Sequence, residues 1–182
     1  MPLGPKEMGD VIVRNLAQKT GHDLDYWMDL LRSQDYPDRK TAIADLKTTY
    51  ALGHFQAQTV WNRFHDTDPY ANPAALRRAL FATPTQRALL QHLEEFLLSL
   101  GDDVSPRPCR TYLPFYRTNT FAAVRPLDES TLEVALDPGE NLPGLRTGTD
   151  IPNRMTHHFR LPAGEDLTAA QRTALQRSYA RN

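Results

Sequence analysis

Along the first 65 residues the apolar positions recur at helical spacing. "MGDVIVRNLAQKTG" places Val11, Ile12 and Leu16 on one stripe, and Gly21 supplies a stop. In "DLDYWMDLLRS", Leu24, Trp27, Met28 and Leu31 share a face, with Asp23 and Asp25 in or near the first turn, where the helix dipole favours acids. After the break at Pro37, "DRKTAIADLKTTYAL" turns Ile43, Leu46 and Tyr50 inward. Gly53 separates that pattern from the next, in which Ala57, Val60, Trp61 and Phe64 repeat at i, i+3, i+4 and i+7. Helices this short do not stand alone in water. The pattern therefore predicts a small bundle packed around Trp27 and Trp61.

The segment "HDTDPYANP" (65–73) is polar, carries two prolines and reads as a domain boundary. "PAALRRALF" is a short bridging helix. A stronger start follows in "TPTQRALLQHLEEFLLSLG": Thr83 is placed to cap, Pro84 to open the helix and Gln86 to complete a capping box. Leu89, Leu93, Phe96, Leu97 and Leu100 form its apolar face, and Gly101 ends it.

From there the period shortens from 3.6 to 2. "CRTYLPFYR" sets Leu113 and Phe115 against Tyr112 and Tyr116, with Pro114 marking an edge strand or a bulge. "NTFAAVRP" and "STLEVALD" continue as strands, the second with Leu132, Val134 and Leu136 opposite Glu133. Residues 137–153 read as a long Gly/Pro loop, "RMTHHFRLP" as a fourth strand, and "DLTAAQRTALQRSYARN" as a closing helix capped by Thr168 and Gln171. The expected fold class is α+β: a small N-terminal helical bundle over residues 1–66, then, over 73–182, a two-layer domain with a mainly antiparallel sheet and flanking helices.

Charge narrows the choice of partner only a little. The net charge is −1, so the chain lacks the overall basic excess typical of nucleic-acid binders, and binding there would need a local patch. Residues 73–182 hold thirteen basic residues, all arginine, against twelve acids. One cysteine, Cys109, excludes an internal disulfide and a cysteine-based zinc site. No run approaches the roughly 20 apolar residues of a membrane span, and the N-terminus does not read as a signal peptide. The expectation is a cytoplasmic protein with no membrane association.

Three places offer candidate chemistry. At "LGHF", Gly53 and His54 stand at a helix N-terminus, where free N–H groups and the dipole suit an anion, with Lys40 or Lys47 as helpers. The plainer reading is that Gly53 ends one helix and His54 begins the next. His157 and His158 alternate faces of a strand and so do not chelate one metal together; His157 shares its side with Met155, Phe159 and Leu161, which reads equally as a hydrogen-bonded histidine of the core. The broadest candidate is a sheet surface interleaving rings and guanidinium groups: Tyr112, Tyr116, Arg117, Arg125, Arg154 and Arg160. Such a set suits a nucleotide or an acidic ligand, although the same tyrosines serve to pack a sheet. Arg107 and Arg110 flank Cys109 and would lower its pKa. The acidic pairs 94–95 and 102–103 read as solvated surface. No Walker loop, H-E-x-x-H or G-x-S-x-G occurs, and the reading names no metal and no cofactor.

These residues also carry two family resemblances. Lys19-Thr20-Gly21, Lys40-Thr41 and Leu52-Gly53-His54 resemble DUF4287, with Ala51 in place of the first glycine of that family's pattern and Phe55 where a small residue is common. Thr111-Tyr112, Phe121 to Pro126, and Met155-Thr156-His157 followed by a terminal helix resemble DUF5655, departing from it at Pro114. The resemblance implies two successive domains and brings no established activity. It singles out Lys40, Gly53, His54, Tyr112, Arg125 and His157. The leading expectation is a non-enzymatic binding or adaptor protein for an anionic small molecule or nucleotide, nucleic acid included. The alternatives are a small hydrolase or transferase using His54 and His157 between the domains, and a purely structural interaction module.

Overall fold

The computed structural model describes residues 3–151 and 154–182. Met1 and Pro2 of the expected first domain, and Pro152 and Asn153 of the expected loop, lie outside the described residues. The chain forms two compact units, Leu3–Ala71 and Asn72–Asn182.

The first unit is all helical: α1 (Pro5–Arg14), α2 (Leu16–Thr20), α3 (Leu24–Gln34), α4 (Arg39–Thr48) and α5 (His54–Phe64). Its core is Leu16, Trp27, Leu31, Ala42, Leu46, Leu52, Ala57 and Val60, with Trp61 and Phe64 at the margin. The expected first helix is interrupted at Asn15, and of its stripe only Leu16 is buried. Asp23 and Asp38 cap α3 and α4 by accepting the N–H groups of Tyr26 at 3.0 Å and Thr41 at 2.8 Å. Trp27 is held by its indole N–H, which donates to Thr20 Oγ1 at 3.2 Å.

The second unit begins with α6 (Pro73–Leu80) and α7 (Pro84–Leu98) and ends with α8 (Ala169–Ala180). Between them lie β1 (Ser105–Pro106), β2 (Leu113–Tyr116), β3 (Thr120–Pro126), β4 (Thr131–Leu136), β5 (Arg146–Thr147) and β6 (His157–Pro162). They form an antiparallel sheet in the order β1-β2-β3-β4-β6-β5. The class is α+β. Both expected capping boxes form, at Thr83/Gln86 and Thr168/Gln171.

One face of the sheet is packed by helices. Leu113, Phe115, Phe121, Val124, Leu132, Val134, Leu136, Phe159 and Leu161 meet Leu89, Leu90, Leu93 and Leu97 of α7 and Ala174 and Leu175 of α8. Burial of this apolar area at roughly 25 cal/mol per Å² is the main driving term. Ser178 of α8 is fully buried and fastens the helix: its hydroxyl donates to the Phe121 carbonyl and accepts the Asp137 N–H at 3.1 Å.

Pro114 sits inside the sheet rather than at its margin, between β1 and β3. Its carbonyl accepts the Arg107 N–H at 3.1 Å, so its nitrogen also faces the two-residue β1 side and no β3 ladder bond is lost. The register slips by one residue between Phe115 and Tyr116, the bulge that the proline announces. The expected 137–153 loop contains the short strand β5, paired to the strand that follows it.

Candidate functional site

The face of the sheet turned away from the helices is built differently. Small residues, Ala123 and Ala135, form its floor, and Ile151, Met155 and Tyr112 pack over them. Beside this patch the ladder places Arg125, Glu133 and Arg160 side by side on three adjacent strands, and in the next row Ala135, His158 and Arg146. Successive residues alternate faces, so both rows lie on the same side.

Glu133 is 5% exposed. Its Oε2 accepts from Arg125 Nε, and its Oε1 lies 3.9 Å from His158 Nε2. The His158 Nδ1–H donates to the Gly148 carbonyl, which fixes the ring over the row. Arg125 also has Asp150 at 3.7 Å. Arg146 and Arg160 are exposed, and their side chains have no hydrogen bond or ion pair among the described residues. The face thus presents three arginines against one buried and one exposed carboxylate.

Not all of the expected arginine–tyrosine set lies here. Tyr112 and Arg125 flank the Leu113–Val124 pair and share this face. Arg154 is exposed, just ahead of β6. Tyr116 lies under the Arg107 guanidinium, 5.7 Å from ring centroid to carbon, and burial raises its pKa above the usual phenol value. Arg117 turns towards α8: its Nε donates to Asp103 at 2.9 Å and its guanidinium stacks 4.6 Å from the Tyr179 ring. Tyr179 in turn donates its hydroxyl to Asp103 at 2.6 Å. Those two bonds, the Tyr179 bond first, hold the Asp103 carboxyl below its ordinary range. Gly101 is required by this cluster, since a Cβ there would fall 2.0 Å from the Tyr179 oxygen. Asp103 is therefore a structural acceptor, not simply solvated surface.

His157 is buried on the other face of β6. Thr156 Oγ1 donates to Asp137 at 2.7 Å and lies 2.8 Å from His157 Nδ1, while Nε2 faces the Asn141 amide at 2.7 Å. Both ring nitrogens are thus engaged within the fold. Cys109 is half-buried, and burial raises its pKa against a smaller opposing hydrogen bond from Tyr112. This reverses the expectation that the flanking arginines make it acidic.

Lys40, Gly53 and His54 belong to the helical unit and are exposed. Lys40 is the second residue of α4, beside the capping Asp38. Gly53 is not the special backbone position of this turn. It is extended (φ −62°, ψ 152°), and its N–H donates to Gln56 Oε1 at 2.7 Å. The left-handed residue is Ala51, φ 55°, which bends the chain so that the Leu52 N–H reaches the Leu46 carbonyl at 3.0 Å. The His54 ring meets Phe55 edge-on at 5.6 Å and makes no side-chain hydrogen bond among the described residues.

Arg146, Glu133 and His158 are the members of the open face that the sequence pattern did not single out. In the sequence Glu133 reads as the acid opposite Leu132, Val134 and Leu136, and His158 as the neighbour of His157 on the opposite face of a strand. Arg146 falls within what reads as loop, where a two-residue strand has no period to detect. Among the described residues no three His, Cys, Asp or Glu side chains gather to hold a metal, and no helix is long and apolar enough to cross a membrane.

An antiparallel sheet with helices on one face and a charged, partly covered second face defines the architecture of the C-terminal unit. The chain belongs to the DUF5655 family: the family model, a domain of unknown function, matches residues 78–182. Residues 1–77 lie outside that match. No curated protein and no solved structure matches the chain.

Proposed function

We propose that this is a cytoplasmic, non-enzymatic binding or adaptor protein whose C-terminal unit holds an anionic, planar ligand of the nucleotide class on the open face of its sheet. The observation that carries the reading is that the Arg146 and Arg160 side chains, which have no partners among the described residues, lie on the same face as Arg125 and Tyr112. Arg146 lies opposite His158, and Arg160 is two residues further along β6, so the two are diagonal neighbours at roughly 7–8 Å. Two long arginine side chains rooted at that backbone spacing can turn their guanidinium groups to the oxygens of one phosphate chain. Tyr112 offers a ring on the same face, three strands across the sheet from Arg160. Glu133 orients Arg125 and lowers the net charge of the face, favouring a compact anion over a long polyanion. The N-terminal unit, on the residues that resemble DUF4287, is read as a companion module with Lys40, Gly53 and His54 on its exposed surface.

Titration of the full chain with adenosine monophosphate and with a short single-stranded oligonucleotide at low salt tests this. Saturable binding is expected, weakening as salt rises and falling about tenfold or more in the Arg146→Met/Arg160→Met variant, as for loss of charge-assisted hydrogen bonds. Absence of saturation up to millimolar ligand, or an unchanged affinity in the double variant, would sink the proposal.

A further inference from the structure

A cavity of about 330 Å³ lies between α6 and α7, away from the residues of the open sheet face. Three of its walls are arginines: Arg77 and Arg78 from the last turn of α6, and Arg87 from α7. Phe81 and Leu90, both buried, close it below. On α7, Arg87, Leu90 and Glu94 succeed one another at i, i+3 and i+7, so a single helix face supplies them.

The three arginines are not equivalent. Arg77 forms a two-pronged pair with Glu94, one prong Nη1 to Oε1 at 2.9 Å and the other Nη2 to Oε2. The Glu94 side chain is only 13% exposed, so it acts as an anchor for Arg77 rather than as the solvated acid that its sequence context predicts. Arg87 reaches back across the end of α6. Its Nη1 donates to the carbonyls of Phe81 at 3.1 Å and Ala82 at 2.6 Å, which fixes the guanidinium while leaving its Nε and Nη2 donors unassigned among the described residues. Arg78 is exposed and has no partner there at all. Two arginines are therefore held in place by the fold, a third is free to close, and one carboxylate leaves a surplus of two positive charges.

We propose that this cavity binds a phosphate monoester, a tetrahedral group carrying about −1.5 to −2 charges at neutral pH. Arg78 and the free edge of Arg87 take the phosphoryl oxygens, and Arg77, oriented by Glu94, forms the third wall. Guanidinium forks match such oxygens in pairs. The apolar base formed by Phe81 and Leu90 leaves the charged contacts to the three arginines at its walls. This site is independent of the open sheet face and stands or falls separately.

The test is arginine side-chain NMR of the full chain titrated with inorganic phosphate at low salt. Saturable shifts are expected at the Nε signals of Arg78 and Arg87. Arg78→Met is expected to weaken binding about tenfold; Arg78 is exposed and supports no buried group, so the fold should survive its loss. Glu94→Gln keeps an acceptor for Arg77, removes the local negative charge and should tighten binding. Arg146→Met, on the open sheet face, should leave these shifts unchanged. Shifts that rise linearly without saturation would overturn the proposal, as would equal losses in Arg78→Met and Arg146→Met, or weaker binding in Glu94→Gln.

Discussion

The two faces of the six-stranded sheet are made from the same strands and have opposite characters. Towards the helices β2, β3, β4 and β6 offer large apolar side chains, and Phe115, Phe121, Leu132, Leu136 and Leu161 are essentially without solvent contact. Away from them the strands offer alanine in the middle and arginine, glutamate and histidine around it. A face that served only to be covered would carry bulk wherever the fold allows it. Ala123 and Ala135 instead leave room that Ile151, Met155 and Tyr112 fill from the side. The helix face accounts for stability, and the second face is where side-chain chemistry remains available.

That contrast can be broken by mutation, and the largest effect is expected on the helix side. Leu93→Ala should destabilise by about 2–5 kcal/mol, the range for a fully buried leucine, measured by urea unfolding. A loss under 1 kcal/mol would mean that the helix face is not the main store of stability. On the other side, Ala135→Leu should cost about 1–3 kcal/mol by overpacking, because Ile151 and Met155 already occupy the space above it. A neutral result would show that cover to be loose.

The third effect depends on acid. The Asp103 carboxyl is depressed in the folded state by Tyr179 and Arg117. The folded protein then binds fewer protons than the unfolded chain, so this contribution is present above the unfolded carboxylate pKa and is lost as pH falls through the lowered folded value. Asp103→Asn should lower the melting temperature near neutrality and change it little at the acid end, so that the acid limb of the profile is flattened. An unaltered acid limb would remove Asp103 from the account. Smallest of all should be the stability change in Arg146→Met, within about 0.5 kcal/mol for an exposed residue. Thermal unfolding checks it, and a large loss would mean that this arginine holds the structure rather than a ligand.

What could be read from the chain follows the range of the interactions concerned. The Thr83-Pro84-Gln86 and Thr168-Gln171 starts are legible because their bonds close within three residues. The stripe from Ala57 to Phe64 and the alternation from Leu132 to Leu136 are legible because a period repeats several times. Arg77 with Glu94, and Asp103 with Tyr179, are joined 17 and 76 residues apart, and no local pattern encodes either pair. Glu94 and Asp103 consequently read as surface acids until the fold brings their partners in. The break at Asn15 and the strand at Arg146 fail for a related reason: each is too short to establish or interrupt a period. Among the candidate site residues, Tyr112 and Arg125 emerge on one face, while Arg117 and His157 are drawn into bonds elsewhere in the unit.

The sheet ends on both sides in strands of only two residues, one finishing in Pro106 and the other carrying Arg146. A neighbouring molecule seeking to extend the ladder finds almost no open backbone to copy, and at one margin it also meets a ring that cannot donate or a charge that resists drying. Growth of the sheet from chain to chain is thereby discouraged at its two outermost rows.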